Sequence, residues 1–253
     1  MRTRLLVIVC ALVLSACRVD ATIDVTMAEN GSGTVTLTAA ADAELVNKAP
    51  GLATDLRLDD LRSAGWMVDG PSPTPSGGLV VVVRHAFASP EQATALLAAI
   101  NGTEGPLKAV ALSRTATKEE VATALTGTAR VEHGLASFAD PDLLAAVGAT
   151  PYADAIAAQG MTEQQALALN LQVRLPGKVT SNTGTVDTDG LIHWNVPLDG
   201  STIDLTSAGR VSLSRSGPWH LLSTLFRWLL IAWVVAAAVF IGLAARARRR
   251  AHR

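Results

Sequence analysis

Cysteine is almost absent from this chain. Two occur in 253 residues, Cys10 and Cys17. From residue 18 onward no disulfide and no thiol chemistry is possible, so stability there rests on packing. Positive charge is scarce in the middle. Residues 18–217 hold thirteen Lys and Arg against all 22 Asp and Glu, a net −9 inside a chain whose total is −1. So acidic a region excludes nucleic acid as a partner and disfavours a broad contact with an anionic surface. Catalytic signatures are missing as well: there is no GxSxG, HExxH, P-loop or GxGxxG. His85, His133, His193 and His220 are scattered, and no His/Asp/Glu cluster has metal-ligand spacing. The expectation is no enzyme, no catalytic residue, no cofactor and no metal. No repeat of 20–50 residues is present.

Long hydrophobic runs occur at the two ends. Arg2 and Arg4 precede the apolar residues 5–14, and Ser15-Ala16-Cys17 follow. That is the layout of a secretory leader. Leu14-Ser15-Ala16-Cys17 resembles the bacterial lipobox, which implies cleavage after residue 16 and acylation of Cys17. Each acyl CH₂ buried contributes about 0.8 kcal/mol, so two or three chains hold a protein on a membrane. At the other end, residues 228–245 carry no charge, enough for about 27 Å of helix. Trp219, Trp228 and Trp233 fit an interfacial belt, and Arg227 can snorkel. Residues 246–253 hold five arginines and no acid, so the positive-inside rule places them in the cytoplasm and the acidic region outside. The leader demands the same orientation. The chain thus divides into a leader (1–16), an extracytoplasmic domain (17–217), a transmembrane helix (218–245) and a basic cytoplasmic tail (246–253).

Between the ends, hydrophobic periodicity sets the order of elements. Residues 22–27 alternate with Ile23, Val25 and Met27 on one face, and Val35 and Leu37 alternate after the turn at 29–33, giving a hairpin. Residues 42–64 read as helix interrupted near Pro50-Gly51, ended by Gly65. Trp66 begins a strand, residues 71–78 with three prolines read as a loop, and the apolar run 79–87 suits a central strand buried on both faces. Ser89-Pro90-Glu91-Gln92 is a helix start with a capping box, and Asn101-Gly102 is its stop. Strands follow over 107–117 and most of 120–131, then short helices opened by Asp140-Pro141 and Thr150-Pro151, and one more turn at Thr162 with Gln165. Leu167, Leu169, Leu171, Val173 and Leu175 alternate as a long strand. Turn signals at 176–177, 182–184, 189–190 and 199–200 separate short strands around Val179, 191–196 and 202–207. The fold class is α+β: a mainly antiparallel twisted sheet with helices packed on one face, plus one C-terminal transmembrane helix.

Several short motifs in one order carry a likeness. After the lipobox come Thr22-Ile23-Asp24-Val25, then Asn30-Gly31-Ser32-Gly33-Thr34-Val35-Thr36-Leu37, a helix ending in Gly65-Trp66, residues 78–87 followed by Ser89-Pro90-Glu91, and Leu175-Pro176-Gly177-Lys178-Val179 before Trp194. Over about residues 17–210 this resembles the LppM-domain lipoproteins of actinobacteria. The resemblance implies an α+β cell-envelope domain that binds lipids or glycolipids, and it transfers no residue except Cys17. A twisted sheet with helices on one face can enclose an apolar groove. The residues expected to line it are Val81, Val83, Leu96, Ile100 and Leu171. The alternative is a membrane-tethered interaction or scaffold module with no small-molecule ligand, marked by an exposed apolar patch in place of a cavity. Neither a protein partner nor an oligomeric state is specified by the sequence.

Overall fold

The computed structural model describes residues 18–102, 105–132, 134, 137, 162–213, 225–231 and 233. The chain divides into two units, Met1–Ser212 and Leu213–Arg253. In the first, the order is β1 (Val19–Met27), β2 (Gly33–Ala41), α1 (Ala43–Lys48), α2 (Leu52–Asp55), α3 (Asp59–Ser63), β3 (Met67–Pro73), β4 (Leu79–Phe87) and α4 (Pro90–Asn101). There follow β5 (Leu107–Ala116), β6 (Glu120–Ala129), α5 (Glu163–Ala166), β7 (Leu167–Arg174), β8 (Lys178–Asn182), β9 (Thr185–Val186), β10 (Ile192–Val196), β11 (Ile203–Asp204) and β12 (Ser207–Ser212).

The strands form two sheets, where the sequence suggested one. The larger runs β3-β4-β2-β1-β7-β10-β9; in the smaller, β6 pairs with β5, β11 and β12, and β12 pairs with β8. All described pairings are antiparallel except β1–β7. The chain changes sheet after β7 at Pro176-Gly177. Gly177 has φ +80° and its Cα faces the Arg210 carbonyl of β12 so closely that a Cβ would collide with it, so only glycine makes this passage. Both sheets turn their apolar faces to one core: Val25, Val35 and Leu171 from the larger join Leu112, Leu125 and Leu205 from the smaller region in one cluster.

Helix α4 packs on β5 and also touches β2 and β4. Its start is as the sequence indicates. Ser89 Oγ accepts from Gln92 N–H, and Pro90 stands at the first turn. Gln92 Oε1 reaches back one residue further than in the usual capping box, to Ala88 N–H at 2.7 Å. Thr94 Oγ1 accepts from Leu112 N–H, and Asn101 pairs with both backbone groups of Leu107, at 2.7 and 2.8 Å. These bonds fix the helix to the start and middle of β5.

Other expectations need correcting. The run 79–87 is buried on one face only: Val81 and Val83 are buried while Val80 and Val82 are half-exposed, because β4 lies between β2 and the edge strand β3 and no layer covers its back. Residues 71–73 are strand, not loop. An edge strand tolerates proline because its outward N–H has no ladder partner to lose, and the register shifts between Asp69 and Ser72. The 42–64 helix is three short pieces. The 202–207 strand is two, β11 and β12, and β12 runs on to Ser212. The two helices expected over 140–160 lie outside the described residues, as do the leader and Cys17. In the second unit, residues 225–231 and 233 are helical and expose Leu225, Phe226, Trp228, Leu229 and Trp233. Among the described residues no helix is long and apolar enough to cross a membrane; residues 218–224, 232 and 234–245 of the expected span are outside them.

Candidate functional site

Cross-strand register sorts the inner face of the large sheet into rows. One row is His85, Val35, Val25, Val173 and Ile192; His85 is half-buried and the four aliphatic residues are wholly buried, at 0 % exposure. The next row toward the start of β1 is Val68, Val83, Leu37, Ile23, Leu171 and Trp194; here Ile23 and Leu37, in the middle, are half-buried. The row after that is Val81, Ala39, Ala21, Leu169 and Val196. Val81, Leu169 and Val196 are buried at its flanks, yet Ala21 is half-buried and Ala39 is exposed. The last row, Leu79, Ala41, Val19 and Leu167, repeats the pattern, with Leu79 buried and the other three half-buried.

The result is a trough. Its floor is Ala21, Ala39 and Ala41 on β1 and β2. Its sides are the larger residues of β4 and β7, whose backbones are three strand spacings apart, about 14 Å. It is blind at Ile23 and Leu37 and opens where β1 begins. Alanine is a poor strand former, with no branched side chain to pack on the pleat. Three of them on adjacent positions of two central strands present less side chain than the valines and leucines beside them. Leu58, Leu61, Leu96 and Ile100 are half-buried apolar residues packed against the same cluster. A space lined in this way offers no hydrogen-bonding group and suits a slender apolar chain.

The five residues expected to line a groove all belong to this apolar layer. Val81, Val83 and Leu171 are nearly closed off, at 7, 6 and 1 % exposure, while Leu96 and Ile100 of α4 are half-buried. Val83 and Leu171 share a row with two strands between them, and Val81 stands in the trough side. The floor alanines were not singled out from the sequence. Their signal is the Ala39-Ala40-Ala41 end of a strand that otherwise alternates threonine with valine and leucine.

The outer face of the same sheet is polar. Across one row stand Arg84, Thr36, Asp24, Gln172 and His193. Burial among these neighbours raises the Asp24 carboxyl above its ordinary value, partly offset by the Thr26 hydroxyl and the charges of Arg174 and His193. His193 pairs with Asp187 at 3.3 Å; Asp187 is held below its ordinary range, first by the Leu191 N–H. His85 is satisfied by the Ala86 carbonyl and lies edge-on to Trp66, ring centroids 5.1 Å apart. Among the described residues no group of His, Cys, Asp and Glu could hold a metal ion.

No family model and no curated protein matches the chain. Among solved structures it is similar to the NMR structure of the folded domain of Mycobacterium tuberculosis LppM, at 18 % identity over 78 % of this chain and 90 % of that one, with a TM-score of 0.37. That is a member of the family whose motif order the sequence resembles.

Proposed function

We propose that this chain is a cell-envelope lipoprotein whose domain binds an acyl chain of a lipid or glycolipid in the trough above Ala21, Ala39 and Ala41. The observation that carries the reading is the exposure of Ala39 between buried Val81 and half-buried Ala21, on the sheet face that elsewhere supplies the core. An apolar face left open to water costs about 25 cal/mol per Å², and an apolar ligand removes that cost. The sequence supplies the setting. Acylated Cys17 and the segment 218–245 hold the domain outside the plasma membrane, with the arginine tail in the cytoplasm. The role is binding and not catalysis. The scaffold alternative has less support: the exposed large hydrophobics described in the first unit, Leu56, Met67 and Val186, stand on separate segments and form no row.

The test is direct. Residues 18–213 are purified without detergent, extracted with organic solvent and the extract weighed by mass spectrometry. Lipid at a stoichiometric level in the native domain, and its loss on Ala39→Trp, is the expected result. A native domain free of lipid sinks the reading. The mass of the N-terminal peptide of the full-length protein tests the anchor separately, since acylation adds the chains to Cys17.

A further inference from the structure

Lipoproteins held by a flexible segment can wander from the membrane; a spacer of n flexible residues separates its ends by about 5–6 Å × √n. Here no such spacer exists. Arg18, the residue after Cys17, is already bound into the fold: its N–H donates to Asp42 Oδ2 at 2.9 Å, and its carbonyl accepts from Asp42 N–H at 3.0 Å. The backbone bond extends the β1–β2 ladder past Val19↔Ala41, and the bond to the Asp42 carboxylate reinforces it. Asp42 is itself fixed, because its other oxygen caps α1 by accepting from Leu45 N–H at 2.8 Å. The acylated residue is therefore one peptide unit, about 3.8 Å, from a hydrogen-bonded strand.

The same end of the domain holds the mouth of the trough. Val19, Ala41, Leu79 and Leu167 form the row nearest Arg18, and the β3–β4 turn at 74–78 lies beside Ala41 and Ala43. Of the charged residues named at that end, Arg18 pairs with Asp20 at 2.7 Å and Lys48 with Glu44 at 2.9 Å, and Asp42 brings their sum to −1. That end therefore carries only a small share of the net −9 of residues 18–217, and a bilayer surface repels it weakly. We infer that the end carrying Arg18, Asp42, α1 and the 74–78 turn rests on the bilayer, with the trough mouth facing the outer leaflet. This deepens the lipid-binding proposal and rests on acylation of Cys17. It adds the source of the ligand, a lipid of the bilayer itself, and a fixed orientation.

The experiment uses the full-length acylated protein in vesicles of phosphatidylethanolamine and phosphatidylglycerol containing a lipid spin-labelled at its headgroup. A fluorophore is attached through Asn47→Cys, exposed on α1, or through Glu29→Cys, exposed at the β1–β2 turn about 30 Å away along β1. Strong quenching at 47 with none above the free-solution level at 29 is expected. A Gly/Ser insert of about ten residues between Cys17 and Arg18, whose ends lie roughly 17 Å apart, is expected to abolish that contrast. Equal quenching at both positions overturns the orientation while leaving lipid binding intact, and a contrast indifferent to the insert overturns the short tether as its cause. If the N-terminal peptide proves unmodified, the anchor and this inference fall together, whatever the extraction of the domain shows.

Discussion

Substituting leucine for Ala39 separates an open trough from a closed core. Leucine adds three carbons to alanine, and full burial of each contributes about 0.8 kcal/mol, about 2.4 kcal/mol in all. Ala39 is exposed, Val81 beside it is buried and Ala21 half-buried, so a leucine there lies against Val81 and Ala21 with roughly half its surface covered. The net gain is about 1 kcal/mol, or about 2–4 °C in Tm for a unit of this size. Ala93 is the control. It is wholly buried on α4, and Ala93→Leu overfills a packed site at a cost of about 1–3 kcal/mol. Thermal melts followed by circular dichroism, with urea titrations to give the free energies, compare the two. Ala39→Leu is expected to melt at or above the native temperature and to retain less extractable lipid, and Ala93→Leu to melt below it. If Ala39→Leu destabilises as much as Ala93→Leu, the space above Ala39 is already filled and the trough does not exist.

Three further outcomes follow from single contacts. Asn101→Ala leaves the N–H and carbonyl of buried Leu107 without their partner and loosens α4 from β5; urea titration should show a loss of about 2 kcal/mol. Ser207 is wholly buried and its hydroxyl has no partner among the described residues, so Ser207→Ala should raise the unfolding free energy read from urea titration, by about 1 kcal/mol or less. The folded state binds the Asp24 proton more tightly than the unfolded chain does, so ionisation of Asp24 costs stability as pH rises from its ordinary value through its raised one. Asp24→Asn should therefore raise Tm at neutral pH, and the gain should vanish in acid below the ordinary carboxyl value; a gain that persists there refutes the burial argument.

Local signals carried most of the element list. The alternation of 167–175, the Ser89-Pro90 helix start and the strand over most of 120–131 are all where the sequence placed them. What it could not show is which strands become neighbours. Periodicity of two says that a strand has an apolar face, and nothing in it distinguishes one sheet from two facing each other. The run 79–87 illustrates this. Its unbroken valines look like a strand covered on both sides, but the back of the sheet carries threonine, asparagine and glutamine and faces outward, so Val80 and Val82 are simply β-formers on an open face. The trough was missed for a related reason: large apolar residues attract notice as lining, whereas the space here is made by small ones.

The parallel pairing of β1 with β7 has a consequence for how the molecule is made. Val19 stands opposite Leu167, about 150 residues along the chain, and the pairing runs to Thr26 and Arg174. Synthesis delivers β1 first, so its second edge stays bare until β7 has emerged. Nearby hairpins and α4 assemble from local contacts, but closing the large sheet waits on a long-range encounter, the kind that slows folding most. Until then a strand with an apolar face and an unpaired edge is open to other chains, a recognised route to aggregation.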